Sequence, residues 1–218
     1  MSEPLSLPQV FEAGPVVPVV VLERVQDALP LAQALLAGGI GVVEITLRTP
    51  VALEAIEAVA RQLPQMCVGA GTLRNAAQAQ SARNAGAQFG VSPGFRPALS
   101  RACRTLNLPL VPGVATASEI MAATEEGHHM LKFFPAEAAG GLNLLQAWAS
   151  PFADVRFCPT GGLTLELAQR YLALPHAPVC GGSWLAPADV VRAGDWPRIT
   201  LLARETLRAL RPQGAQAP

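Results

Sequence analysis

Short apolar runs alternate with longer amphipathic segments along the chain. The runs read VVPVVVL, GVVEITL, MCVGAG, QFGVSP, PLVPG, HMLKFF, VRFCPTGG and APVCGGS. Between them lie segments rich in Ala, Leu, Glu and Gln, at 25–37, 51–63, 76–85, 98–106, 117–126, 142–148, 165–174 and 199–210. Strands separated by helices predict right-handed crossovers and a parallel sheet.

Eight strand–helix units in 218 residues favour a closed (β/α)8 TIM barrel over an open doubly wound sheet. The pattern shows no domain boundary, so residues 1–218 are predicted to form a single domain. A short additional helix is expected at 6–13, and the tail at 211–218 is expected to be disordered. Thr49 and Thr116 each precede a helical segment and are predicted N-caps.

Composition narrows the class of protein. Apolar residues make up 50% of the chain and charged residues 15%, against a usual charged share of about 25%, so a large core and a surface covered by a partner subunit are expected. The net charge is zero and no long basic run occurs, which argues against nucleic acid as a partner. The N-terminus does not read as a signal peptide, and no apolar run approaches the ~18 residues of a membrane span. A cytoplasmic protein without a membrane partner is expected.

The cysteines and histidines do not predict a metal or disulfide framework. Four cysteines are scattered without a CxxC pair, which is typical of reduced core residues. His128 and His129 are adjacent, so on a strand they point to opposite faces and are expected to be structural. No metal is predicted.

A lysine interrupts the apolar run MLKFF. Strand alternation places Lys132 on one face of its strand and places Glu44, Thr46 and Arg48 together on one face of the second strand. If the apolar faces pack on helices, both polar faces point into the barrel. One interpretation is structural: Glu44 pairs with Arg48, and Lys132 either extends to solvent or pairs with Glu44. The other is an imine-forming lysine, because desolvation favours the uncharged amine and a neutral amine is a nucleophile.

Two glycine-rich turns follow the seventh and eighth strands, in CPTGGL and CGGSWL. Glycine allows the backbone N–H groups to approach an anion closely, and barrels often hold a phosphate at this position. Thr160 and Ser183 add a hydroxyl to each turn. Earlier strand ends carry Thr72 in GAGT and Pro93 in VSPGF.

These motifs resemble those of the 2-keto-3-deoxy-6-phosphogluconate (KDPG) aldolase / 4-hydroxy-2-oxoglutarate aldolase family of class I aldolases. The resemblance spans nearly the whole chain and includes EITLRT, VGAGT, SPG, KFFPAEAAGG, RFCPTGG and GGSWLAPAD. It departs at Ala139, where family members carry asparagine. The resemblance implies a (β/α)8 barrel, a homotrimer, and no cofactor or metal.

The resemblance also implies residue roles. Lys132 would form the imine, and Glu44 would be the general acid/base. The implied substrate-binding residues are Arg48 and Thr72 for the carboxylate, Pro93 and Phe134 for the pyruvate pocket, and Thr160, Gly161, Gly162, Gly182 and Ser183 for the phosphate.

The activity implied is cleavage of 2-dehydro-3-deoxy-6-phosphogluconate, a phosphorylated 2-keto-3-deoxy sugar acid, to pyruvate and D-glyceraldehyde 3-phosphate. Within the family, 4-hydroxy-2-oxoglutarate and 2-dehydro-3-deoxy-6-phosphogalactonate are alternative substrates. A sugar-phosphate isomerase on the same barrel, or a non-catalytic phosphate sensor, would not need an imine-forming lysine.

Overall fold

The computed structural model describes residues 14–210, so the predicted helix at 6–13 and the tail at 211–218 lie outside the described residues. Most of the strands are almost completely buried, in keeping with the apolar runs. The strands are β1 Val16–Val20, β2 Val42–Thr46, β3 Cys67–Gly71, β4 Phe89–Val91, β5 Leu110–Val111, β6 Gly113–Val114, β7 Met130–Phe133, β8 Arg156–Pro159 and β9 Cys180–Gly182.

Helices alternate with these strands. They are α1 Ala28–Ala37, preceded by a 3₁₀ turn at Val25–Asp27, α2 Ala52–Gln62, α3 Ala76–Asn84, α4 Pro97–Thr105, α5 Ala117–Glu125, α6 Ala136–Ala139, α7 Gly141–Trp148, α8 Leu165–Leu172, α9 Ala188–Ala193 and α10 Trp196–Leu210. The short helices α6 and α9 were not predicted. Within residues 14–210, none of the helices combines the length and apolar character that crossing a bilayer requires.

The predicted caps have different outcomes. Thr116 caps α5 in a capping box with Glu119, as predicted. Thr49 does not cap α2, because its hydroxyl donates instead to the Leu22 carbonyl at 2.6 Å and the helix begins at Ala52. Thr49 therefore fastens the loop after β2 to the loop after β1.

The strands form two parallel sheets, and the α/β class is confirmed. Six strands are ordered β5-β4-β3-β2-β1-β9 in a curled sheet, and three are ordered β6-β7-β8. Every strand pair between residues 14 and 210 is parallel. The carboxyl ends of the strands in each sheet therefore lie at one edge, where the polar residues of the sequence motifs are found.

The two sheets meet at a break in one predicted strand. The run PLVPG is divided into β5 and β6 at Pro112, which has no N–H to donate to a ladder. The Pro112 carbonyl still accepts a hydrogen bond from the Lys132 N–H at 2.8 Å. A parallel bridge between Thr160 and Gly181 links the end of β8 to β9.

Candidate active site

Lys132 is the only lysine in the 218 residues, and the other basic side chains apart from histidine are arginines. It lies in β7 between Gly113 of β6 and Cys158 of β8, which are its register partners. Its side chain is 7% exposed. A lone lysine buried in a sheet is unusual, because lysine is almost never fully buried without a partner.

Glu44 of β2 is the partner that faces this amine. Lys132 Nζ lies 3.6 Å from Glu44 Oε1, and the carboxylate side chain is 5% exposed. That separation is longer than a hydrogen bond, and buried Glu44 Oε1 has no hydrogen-bond partner among residues 14–210. Buried polar atoms are nearly always paired. The unpaired oxygen beside the amine therefore marks the pair as a candidate for chemistry.

A cavity of about 310 Å³ opens beside the two groups at the carboxyl ends of the strands. It contains ten of the eleven residues predicted from the sequence. The lining residues are Val19, Glu44, Thr46, Arg48, Thr72, Pro93, Lys132, Phe134, Thr160, Gly161, Gly162, Leu163, Gly181 and Ser183. The strand ends therefore bring together residues that are far apart in sequence.

Gly182 is the predicted residue that does not line the cavity. Alternation along β9 turns Gly181 toward Thr160, whereas a β-carbon on Gly182 would run into the Trp184 indole. The sequence does not show which of Gly181 and Gly182 faces the cavity, because neither has a side chain whose character indicates its face. A backbone role for Gly182 in phosphate binding stays a prediction.

The backbone of the turn at 160–162 has a shape that allows an anion to approach its N–H groups closely. Gly161 and Gly162 have φ values of 100° and 79°, a region that favours glycine. The Thr160 N–H donates to the Phe133 carbonyl at 3.0 Å, and the Thr160 carbonyl accepts from the Ala136 N–H at 2.8 Å. These bonds hold the turn against the end of the lysine strand.

Thr72 also has an uncommon backbone conformation. It directly follows β3 with φ 63°, a left-handed value that is rare for a β-branched residue. Such strain persists where surrounding structure requires it and is concentrated at functional sites. The conformation of Thr72 therefore strengthens its assignment to the site.

Comparison with known proteins agrees with this geometry. A family profile described as KDPG and KHG aldolase matches residues 7–202. The chain is 50% identical over 202 residues to a 2-dehydro-3-deoxy-phosphogluconate aldolase of Dickeya dadantii, covering 93% of this chain and 95% of the relative. The chain belongs to the KDPG and KHG aldolase family.

Other family members are comparably similar. The KHG/KDPG aldolase of Escherichia coli K12 is 49% identical, with 93% of this chain and 95% of the relative covered. A KDPG aldolase of Legionella pneumophila, crystallised with pyruvate captured at low pH as a covalent carbinolamine intermediate, superposes with TM-score 0.89 at 44% identity, covering 91% of this chain and 97% of that chain. The KDPG aldolase of Zymomonas mobilis ZM4 with 3-phosphoglycerate gives TM-score 0.87 at 46% identity, covering 92% and 94%.

Thr46 also lines this cavity, and the sequence did not predict a role for it. Its hydroxyl donates to the Val20 carbonyl at 2.9 Å and accepts from Arg48 Nε at 3.2 Å. The guanidinium of Arg48, which is otherwise exposed, is thus fastened to β1 and β2. The alternation that grouped Glu44, Thr46 and Arg48 was the signal for this role.

Cys158 lies beside Lys132 and is not a competing nucleophile. Burial raises the pKa of its thiol to about 12, and a contact with Thr160 offsets this only in part. The thiolate is the reactive form of cysteine. At neutral pH Cys158 is therefore a small apolar neighbour of the amine.

The two histidines have separate structural partners, as expected. His128 Nε2 bonds Ser100 Oγ at 2.7 Å, and His129 Nδ1 lies 3.3 Å from Asp154. Neither lines the cavity beside Lys132 and Glu44. His128 instead borders a more open cavity of about 390 Å³ between α4 and residues 126–128, which includes neither Lys132 nor Glu44.

Proposed function

We propose that this protein is a class I aldolase that cleaves 2-dehydro-3-deoxy-6-phosphogluconate to pyruvate and D-glyceraldehyde 3-phosphate. The observation that carries the proposal is the buried Lys132 amine 3.6 Å from an otherwise unpaired Glu44 oxygen at the cavity floor. Relatives named for this activity are 45–50% identical, and one related structure holds pyruvate as a carbinolamine. These similarities support the same covalent chemistry.

The reaction begins at the amine. Lys132 Nζ attacks the C2 ketone to form a carbinolamine, which loses water to give a protonated imine. The C3–C4 bond then breaks, and its electron pair moves into the imine to form an enamine. Glu44 accepts the C4 hydroxyl proton as the aldehyde leaves and returns a proton to C3. Hydrolysis of the resulting imine releases pyruvate and regenerates the amine.

The remaining residues hold the two ends of the substrate. Arg48 and Thr72 bind the carboxylate, for which the planar guanidinium can donate two parallel hydrogen bonds. Phe134 and Pro93 cover the pyruvate carbons. The phosphate binds the backbone N–H groups and hydroxyls of Thr160, Gly161, Gly162, Gly182 and Ser183. Fixing both ends positions C4 relative to Glu44.

Borohydride trapping with pyruvate tests the mechanism directly. Because Lys132 is the only lysine, the chain offers one side-chain amine and one terminal amine on which pyruvate could form an imine for borohydride to reduce. We expect one pyruvyl adduct per chain, with peptide mapping locating it at Lys132. The Lys132→Met variant is the matched control and should acquire none there. An active wild-type protein without the adduct at Lys132 would overturn the imine mechanism.

The electrophile in this mechanism is the protonated imine, so neither a metal nor an organic cofactor is required. Activity is therefore expected to be unchanged after dialysis against EDTA. Loss of activity that added divalent metal restores would contradict the mechanism and favour a metal-dependent aldolase.

A second substrate is favoured by one relative. The Escherichia coli protein, 49% identical, is named for both KHG and KDPG activity. We propose 4-hydroxy-2-oxoglutarate as a slower substrate, because it offers the same 2-oxo acid to Lys132 but no phosphate to the 160–162 turn. Comparing kcat/KM for the two compounds tests this order. An isomerase or a phosphate sensor would cleave neither, nor form the pyruvate adduct.

The closed barrel and the assembly belong to the same proposal. The Thr160–Gly181 bridge and the Lys132–Pro112 hydrogen bond support joining both sheets into one (β/α)8 barrel. A homotrimer is proposed from the family resemblance, and the 15% share of charged residues suits a surface that a partner subunit covers. Light scattering should give three times 22.8 kDa.

A cytoplasmic location suits a phosphorylated substrate, which does not cross membranes unaided. Fractionation of cells tests this location.

A further inference from the structure

Tyr171 is completely buried at the end of α8, and its hydroxyl donates to Glu137 Oε1 at 2.5 Å. Burial and the neighbouring carboxylate raise the pKa of Tyr171 well above its ordinary value, so the hydroxyl carries its proton at neutral pH. A hydrogen bond from a buried hydroxyl to a carboxylate is among the stronger kinds. No step of the proposed mechanism uses either residue.

Glu137 lies directly against the turn at 160–162. Its N–H donates to the Gly161 carbonyl at 3.3 Å. A β-carbon on Gly162 would lie 3.0 Å from Glu137 Cβ and 3.2 Å from its Cγ. The acidic side chain thus begins at the turn that is proposed to hold the substrate phosphate.

The carboxylate, however, is directed away from that turn. Apart from residues 161–163, the described atoms within 4 Å of a carbon added to Gly162 are Glu137 Cβ and Cγ, whereas Oε1 lies 3.5 Å from the equivalent point on Gly141. That same point is 3.7 Å from the Tyr171 hydroxyl. The hydrogen bond therefore holds the negative charge on the Gly141 side.

We propose that the Tyr171–Glu137 hydrogen bond is a positioning device for the phosphate site, which keeps a carboxylate out of that site and fixes the turn at 160–162. This inference rests on the proposed function. Thr164 caps α8 two residues after the turn, and Tyr171 lies on the same helix. The bond therefore links the helix that follows the turn to α6, which packs against its other side.

The consequence is a preference for phosphorylated substrates. Without the Tyr171 hydroxyl, the Glu137 side chain is free to rotate toward Gly162 and to repel a phosphate. In the proposed function, pyruvate binds Lys132, Arg48, Thr72, Pro93 and Phe134, and the turn binds only the phosphate. Loss of the bond should therefore weaken recognition of phosphate without weakening the imine chemistry.

The experiment compares Tyr171→Phe with the wild type in two assays. In the first, KM for the phosphorylated substrate should rise roughly tenfold, the scale of one hydrogen bond to a charged group. In the second, exchange of pyruvate methyl protons with solvent deuterium is followed by NMR, and it should stay within about twofold of the wild type. Equal losses in both assays, or an unchanged KM, would overturn the proposal.

A rescue variant separates charge from packing. In Tyr171→Phe/Glu137→Gln, the freed side chain is neutral, so KM should return to about the value of Glu137→Gln alone. No return would exclude the electrostatic role. Leu172→Ala, on the same helix, is the control for general destabilisation. It should not raise KM for the phosphorylated substrate while leaving pyruvate proton exchange unchanged. Failure of the proposed function itself is distinct, because the wild type would then form no pyruvate adduct at Lys132.

Discussion

A side chain on Gly71 would occupy the space in which Glu44 stands. A β-carbon added to Gly71 would lie 2.7 Å from Glu44 Cγ and 2.8 Å from its Cδ, and closer still to Oε1. Gly71 ends β3, where it is the register partner of Thr46 in β2. The glycine therefore makes room on the neighbouring strand for the proposed acid/base, and this is a physical reason for glycine in the GAGT motif.

Gly71→Ala should move the carboxylate without removing it. Displacement of a reacting group by about 1 Å can cost about 10²-fold in rate, so we expect kcat for cleavage to fall by roughly that factor while borohydride still traps pyruvate on Lys132. The control is Glu44→Ala, which removes the colliding atoms. In that background Gly71→Ala should cause little further loss of rate or of thermal midpoint. An equal loss in both backgrounds would show that the effect does not pass through Glu44.

Glu44→Gln keeps the shape of the side chain and removes its basicity. We expect kcat to fall by roughly 10²–10⁴, the usual contribution of a positioned acid or base. The imine with pyruvate should still form, since Lys132 supplies the nucleophile. Stopped-flow cleavage assays and mass spectrometry of trapped protein measure the two effects separately. A variant that cleaves at the wild-type rate would remove Glu44 from its role.

Strand alternation was sufficient to predict that Lys132 and Glu44 lie close together. Two-residue periodicity placed Lys132 and Glu44 on inward faces of separate strands, and parallel topology placed both near the same edge. The structure brings them to 3.6 Å. Their proximity was predictable because it depends only on the direction of each side chain and the order of the strands, whereas their roles stay predictions.

Features that depend on distant contacts were not predictable in this way. The Tyr171–Glu137 hydrogen bond joins residues 34 positions apart, and nothing local in either helix indicates it. The choice between Gly181 and Gly182 required the register of β9 against β1. The break between β5 and β6 follows from Pro112, a signal that was present in PLVPG and was read as one uninterrupted strand.

Arg48 is expected to act through the geometry of its guanidinium. Arg48→Lys keeps the charge but loses the paired donors and the bond from Nε to Thr46, so KM for pyruvate in the proton-exchange assay should rise about tenfold. Thr46→Val should give a smaller rise because it removes only the hydroxyl that orients Arg48. Thr46→Ser retains that hydroxyl and is the matched control. If Thr46→Val and Thr46→Ser give the same KM for pyruvate, Thr46 does not position Arg48.

The stability of the fold should fall on mild acidification because of His128. Burial, followed by the nearby Arg104, lowers the pKa of this histidine below its ordinary 6.5, although Glu126 and a backbone hydrogen bond partly oppose the shift. Below pH 6.5 the unfolded chain therefore binds a proton more readily than the folded chain. The stabilising contribution is complete above that pH and is lost as pH falls through the folded pKa.

Free energies of unfolding, measured by urea titration from pH 7.5 to 5.0, test this expectation with His128→Gln as the comparison. The wild type should lose stability on the acid side more steeply than the variant, by no more than about 1.4 kcal/mol per pH unit, the ceiling for one proton. The variant should show a shallower slope, since its amide does not titrate and can still bond Ser100. Parallel slopes for the two proteins would mean that the acid sensitivity does not arise at His128.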